Sequence, residues 1–115
     1  MTDFNKALIF AKECLKWERP VMLQERIIGY LDGLRYYSFA PNSVHEVHAR
    51  LDGFLAKRYL IQINRGTSTL FKWTVIVGLQ DKSVRGAHLG ESRADSDDLF
   101  DGIFDACVMA ARMDK

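Results

Sequence analysis

The chain is poor in the residues that usually announce chemistry or location. Its longest apolar stretch falls well short of the roughly 18 residues a membrane-spanning helix needs. The opening Met-Thr-Asp-Phe-Asn-Lys has no basic segment followed by an apolar one, so a secretory leader is not expected. Net charge is only +1, too small for broad electrostatic capture of nucleic acid or membrane. There are two cysteines and two prolines in 115 residues, which rules out a disulfide scaffold and a proline-rich linker. No glycine-rich phosphate loop and no ordered Ser, His and Asp set is visible, although a catalytic set need not be local in sequence. The expectation is a soluble, cytoplasmic chain without cofactor or metal.

What is present is an ordinary globular composition, 48% apolar and 27% charged. A chain of this length is expected to form one domain and to bury roughly two thirds of the surface its unfolded form exposes. Residues 69–79 are the most informative stretch. Phe71, Trp73, Val75, Val77 and Leu79 share one face at a period of two, and Leu70 and Ile76 lie on the other beside Lys72 and Thr74. A strand apolar on both faces asks for cover above and below, which places it in the middle of a layered α+β domain, with Trp73 in the core.

Around it, Phe4, Ala7, Leu8, Ala11, Cys14 and Leu15 recur at three and four, predicting a helix over 3–17 that Pro20 ends. Residues 21–39 allow two readings. A helical stripe through Leu23, Ile27, Leu31 and Leu34 competes with a hairpin turning at Asp32-Gly33, and the hairpin is the reading adopted. Ser43 with Glu46 forms a capping box opening a helix to about Arg58, with Val44, Val47, Leu51, Phe54 and Leu55 on its apolar face. Tyr59 to Asn64 alternate as a strand, and residues 65–68 supply a turn. Val84, Ala87 and Leu89 suggest a short edge strand, and Asp95 or Ser96 caps a last helix to about Met113.

Three groups invite a chemical reading. His45-Glu46-Val47-His48 has the look of a zinc helix, but the histidines are three apart and not four, and a solvated face is the reading adopted. Asp95, Asp97, Asp98, Asp101 and Asp105 lack the alternation and glycine bend of a calcium loop, and suit the positive end of a helix. Cys14 and Cys107 read as small buried hydrophobes, a bridge between two helices being the alternative.

A basic and aromatic set remains, of which Arg35, Tyr36, Tyr37 and Arg65 are the candidate partner surface. Tyr36, Tyr37 and Met113 are expected to be exposed. The first function reading is a non-enzymatic accessory domain acting through a protein partner, as a monomer or weak homodimer. A weak binder of single-stranded nucleic acid, and an enzyme with a site assembled from distant residues, are the alternatives.

The order of elements also resembles a known family. A helix ending Ala11-Lys12-Glu13-Cys14-Leu15-Lys16-Trp17 precedes Phe39-Ala40-Pro41-Asn42-Ser43 opening a second helix. A strand with Lys72-Trp73-Thr74-Val75 and an alanine-rich closing helix, Phe104 to Arg112, follow. This is similar to small phage and prophage proteins of the α-β-α sandwich type, over nearly the whole chain. The resemblance implies a sheet between helical layers and brings no established activity, cofactor or catalytic residue.

Overall fold

The first helix, α1, spans Phe4–Glu13 and turns Ala7 and Ala11 inward, as the spacing predicts, together with Phe10, which the predicted stripe did not include. In the computed structural model, which describes residues 4–31, 33, 35–65, 72–80 and 88–113, α1 ends well before Pro20. The Leu15 amide donates to the Phe10 carbonyl at 3.2 Å and the Trp17 amide to that of Ala11 at 3.0 Å. Lys16 takes the left-handed conformation (φ 61°) in which helices commonly finish. Pro20 therefore stops nothing. It lies inside a strand, β1 (Glu18–Leu23), at a sheet edge where a missing N–H is tolerated.

β1 pairs antiparallel with β2 (Arg26–Leu31), which pairs antiparallel with β3 (Arg35–Phe39). The β2–β3 hairpin is the one expected at Asp32-Gly33, with Gly33 at φ 72°. The β1–β2 turn was not legible. Leu23 faces Arg26 across Gln24 and Glu25, both at positive φ (51° and 64°). That geometry usually recruits Asn-Gly, so two side-chain-bearing residues hold it here at about 1 kcal/mol each.

The helix α2 (Val44–Arg58) starts where expected, the Ser43 hydroxyl accepting from the Glu46 amide at 3.4 Å. Val47, Leu51 and Phe54 are buried, whereas Val44, assigned to the same face, is exposed. A second sheet follows in the order β4 (Tyr59–Arg65), β5 (Trp73–Gln80), β6 (His88–Ser96), all antiparallel. β6 runs to Ser96, well past the edge strand suggested around Leu89. It alternates small and charged residues, with Ser92 and Ala94 buried and Glu91, Arg93 and Asp95 exposed. Phe71, Leu70, Val84, Ala87 and the expected turn at 66–68 lie outside the described residues.

The last helix, α3 (Leu99–Met113), is capped by Asp98, not by Asp95 or Ser96. The Asp98 carboxylate accepts from the Phe100 amide at 2.9 Å and the Asp101 amide at 3.2 Å. Burial works to raise this carboxyl, yet the net shift is downward, with those two amides among the groups that hold it there. A depressed acid contributes stability above its ordinary pKa of about 4 and loses it as pH falls through the folded value. Asp98→Ala is expected to cost about 1 kcal/mol at neutral pH. In urea titrations the gap to wild type shrinks below about pH 4; a gap that ignores pH would place the cap elsewhere.

α3 packs on β5 and β6, α1 on α3 and on β1 and β2, and α2 bridges β3 and β4. The expected α+β fold of helices and antiparallel strands is present as a single domain. One buried cluster draws on both sheets and all three helices. The strands divide into two three-stranded sheets, however, and the helical pair α1–α3 stands between them. Only one face of β5 meets α3, the face of Val75 and Val77, both fully buried. Ile76 on the other face is half-buried, in register with exposed Gln62 and Arg93. Trp73, expected in the core, is half-buried at the strand start, with the Arg65 guanidinium 5.3 Å from its ring centre.

Candidate functional site

Alternation along β2 (Arg-Ile-Ile-Gly-Tyr-Leu) decides where the surface of the first sheet lies. Ile27 turns inward and is fully buried; Ile28 and Tyr30 turn outward. Register then sets the neighbours. Val21 stands opposite Ile28 on β1, and Tyr36 opposite Tyr30 on β3. The Tyr30 and Tyr36 rings meet edge to face, 6.1 Å between centres at 66°. Tyr36 is 59% exposed, Leu23 57%, Val21 54% and Tyr30 44%, so large apolar groups from all three strands stay in contact with water.

The four residues singled out in the sequence do not converge. Tyr36 lies on this outer face. Its neighbour Tyr37 points to the opposite one, half-buried and stacked on Trp17 at 6.0 Å and 25°. The Arg50 guanidinium sits 5.4 Å from the Trp17 ring centre and 5.5 Å from that of Tyr37, and donates to the Ser38 carbonyl at 3.3 Å. Tyr37 is therefore part of a structural stack. Arg35 is exposed beside Tyr36, but by alternation it belongs to the inward side. Arg65 is on the other sheet, over Trp73. Sequence reasoning missed Tyr30, Val21 and Leu23. The period of two through Ile28 and Tyr30 was available to find Tyr30, once the hairpin was accepted.

One end of the face is electrostatically closed. Arg26 donates to both Glu46 carboxylate oxygens, at 2.6 and 3.3 Å, and to the Ser38 hydroxyl at 3.0 Å. The hydrogen bond with Arg26 holds the Glu46 carboxyl below its usual range and raises Arg26 in turn. Glu46 thus spends its side chain on β2, and the capping box keeps only its Ser43 half. At the other end a cavity of about 290 Å³ opens beside Tyr30, lined by Glu18, Arg19 and Gly33.

The other polar clusters have partners within the fold. A cavity of about 320 Å³ crosses the seam of α1, α3 and β6 over Ile9, Val108 and Met109. Its charged groups are paired: Lys6 with Asp105 at 2.7 Å, Arg112 with Glu13 at 2.8 Å, Arg93 with Asp95 at 3.5 Å. Of the acidic cluster, Asp95 also accepts from the Thr74 hydroxyl at 2.6 Å, Asp97 from the Lys72 amide at 3.3 Å, and Asp98 caps α3. His48 lies 3.5 Å from Asp52 on an exposed face. Among the described residues no group of three or more His, Cys, Asp or Glu could hold a metal ion, and no helix is long and apolar enough to cross a membrane. Cys14 and Cys107 are both buried and are not bridged by a disulfide. Burial, with Cys14 adding to it, pushes the Cys107 thiol well above its ordinary value, which suppresses the nucleophilic thiolate.

In comparisons with known proteins, no family model, no curated protein and no solved structure matches this chain.

Proposed function

We propose that this chain is a small non-enzymatic accessory domain that works through protein contacts, and that its contact surface is the outer face of the β1–β2–β3 sheet. The observation that carries this reading is the concentration of Val21, Leu23, Tyr30 and Tyr36 on one exposed face. Large apolar groups gathered on one surface are typical of contact sites, and tyrosine is prominent among residues that anchor them. Strand addition at the free edge of β1 is disfavoured, because Pro20 has no N–H and Arg19 sits at φ 50°. The face is therefore the better surface. The ion pairing of every charged group around the seam cavity also favours a contact role over catalysis there.

The face is small. Three strands about 4.8 Å apart and about six residues long cover roughly 250 Å², well under the ~800 Å² per partner of a stable complex. Associations through this face are accordingly weak and exchangeable, in keeping with a monomer or weak homodimer. Two buried cysteines without a disulfide suit a reducing cytoplasm, and the sequence resemblance suggests the phage or prophage type.

A photoreactive amino acid at position 36, compared with one at exposed Gln62 on the second sheet, tests the reading in cells of the source organism. Discrete adducts are expected from position 36 and not from 62, and Val21→Lys should abolish them. Identical adduct patterns from the two positions would overturn it.

A further inference from the structure

We infer that the free edge of β6 is a second docking site, which takes an extended peptide segment as a fourth strand of its sheet. β6 pairs with β5 along one side, and among the described residues no strand meets its other side. In an antiparallel ladder alternate residues turn their N–H and C=O away from the partner strand. From Glu91 to Ser96, where the register is regular, the edge therefore offers about three such pairs. These groups select the conformation of the occupant. A helix has spent its interior N–H and C=O groups on itself, whereas an extended chain presents its own at the matching spacing.

The seam cavity lies along this edge. Its lining includes Ala94, which points inward and is buried, and Arg93 and Asp95, which point outward and are exposed. Residues from both faces of one strand border a single cavity where that cavity wraps the strand's open side. Ile9 of α1 and Val108 and Met109 of α3 form its apolar wall, and Ile9 and Met109 are 42% and 44% exposed. An added strand would lie about 4.8 Å beyond β6, so its inward side chains would fall on that wall. Alternate residues of the segment are therefore apolar.

The outward residues set a second constraint. Across β5, Glu91 faces Gly78 and Arg93 faces Ile76, so neither meets an opposite charge in its own cross-strand row. An antiparallel segment with a basic residue opposite Glu91 and an acidic one opposite Arg93 completes both rows. A second copy of this chain does not fit. Two-fold pairing of β6 with itself would keep both sheets the same way up. The copy's α3 lies against the inner side of its own β6, the Ser92 hydroxyl donating to the Ala106 carbonyl at 2.6 Å. That helix would have to enter the space that α1 fills beside the cavity. The occupant is therefore a segment of another protein with no layer of its own beneath it.

The test is an NMR titration of the isotopically labelled protein with the end-capped peptide Thr-Val-Glu-Val-Lys-Thr. Docked antiparallel, its Glu falls opposite Arg93, its Lys opposite Glu91, and both valines point inward. Saturable shifts are expected along Glu91 to Ser96 and at Ile9, Val108 and Met109, and not at Tyr30 or Tyr36. Exchanging the peptide's Glu and Lys should weaken binding about fivefold, and the double variant Glu91→Lys with Arg93→Glu should reverse that preference. N-methylation of one alternate set of peptide amides should abolish binding, and methylation of the other set should largely spare it. Met109→Lys, which puts a charge on the apolar wall, should weaken binding about tenfold. Well-dispersed spectra of these surface variants establish that they remain folded. Absence of saturable shifts, shifts centred on Tyr30 and Tyr36, or equal response to the two methylation patterns would overturn the proposal. So would self-association of the chain that the β6 double variant abolishes, since the edge would then belong to a second copy. None of these results bears on the adducts from position 36, so the outer face of the first sheet stands or falls separately.

Discussion

Phe10→Ala is expected to remove about 4 kcal/mol of stability. Phe10 is fully buried, and its ring meets three others from separate elements. The centres lie 6.2 Å from Phe39 on β3, 6.4 Å from Phe54 on α2 and 5.0 Å from Phe104 on α3. No single neighbour can move into the vacated space without leaving its own sheet or helix. The cavity therefore stays largely open, and its cost adds to the lost transfer energy. Domains of this size have on the order of 5–15 kcal/mol in total, so the variant should melt about 15 °C lower. Phe10→Leu, which refills most of the volume, should lose only about 1.5 kcal/mol. Urea midpoints at an unchanged slope measure both. A loss below about 1.5 kcal/mol for the alanine variant would mean that α1 is not the centre of the core.

That central place of α1 also marks where the sequence was legible. Phe10 itself lay outside the predicted stripe, whereas inward Ala7 and Ala11, the Ser43 cap of α2, the Gly33 hairpin and the apolar face of α3 were readable. In each, local chemistry and tertiary packing agree. Reading failed where a residue's local meaning was overridden. Pro20 is a helix stop in sequence and an edge-strand residue in the fold. Val21, Met22 and Leu23 promise burial and remain exposed. β6 buries Ser92 and Ala94, too small to register as an apolar face. They are small because α3 lies close: the Ser92 hydroxyl donates to the Ala106 carbonyl at 2.6 Å. The layering was not legible either: periodicity suggested two apolar sides for β5, whereas only the face of Val75 and Val77 is covered, and the number of sheets depends on long-range pairing that no local pattern encodes. The site shows the same division. Tyr36 was legible as a free aromatic, while its partner Tyr30 depended on a register known only from the fold.

Gly29 supplies the second large effect, and here even the sign of the change is informative. A glycine inside a strand normally weakens it, so Gly→Ala should stabilise by about 0.5–1 kcal/mol. At position 29 the added Cβ would lie 3.0 Å from Cβ and 3.1 Å from Cε3 of Trp17, with the Glu18 carbonyl oxygen at 3.5 Å. Trp17 is buried, stacked on Tyr37 and held edge to face against Phe39 at 5.7 Å. It cannot swing aside, so β1 and β2 must part. Gly29→Ala is expected to cost about 1 kcal/mol and Gly29→Val about 3 kcal/mol. Trp17→Ala destabilises on its own, yet it removes the obstacle. In the double variant the valine should therefore cost about 1–2 kcal/mol less than in wild type, a coupling that a thermodynamic cycle isolates. A stabilising Gly29→Ala, or a cycle with no coupling, would show that the indole does not lie over β2. The stack of Trp17, Tyr37 and Arg50 would then have to be placed elsewhere. Because that stack braces the inner face of the sheet whose outer face carries Tyr30 and Tyr36, Gly29→Val should also weaken contacts made there, although residue 29 points away from them.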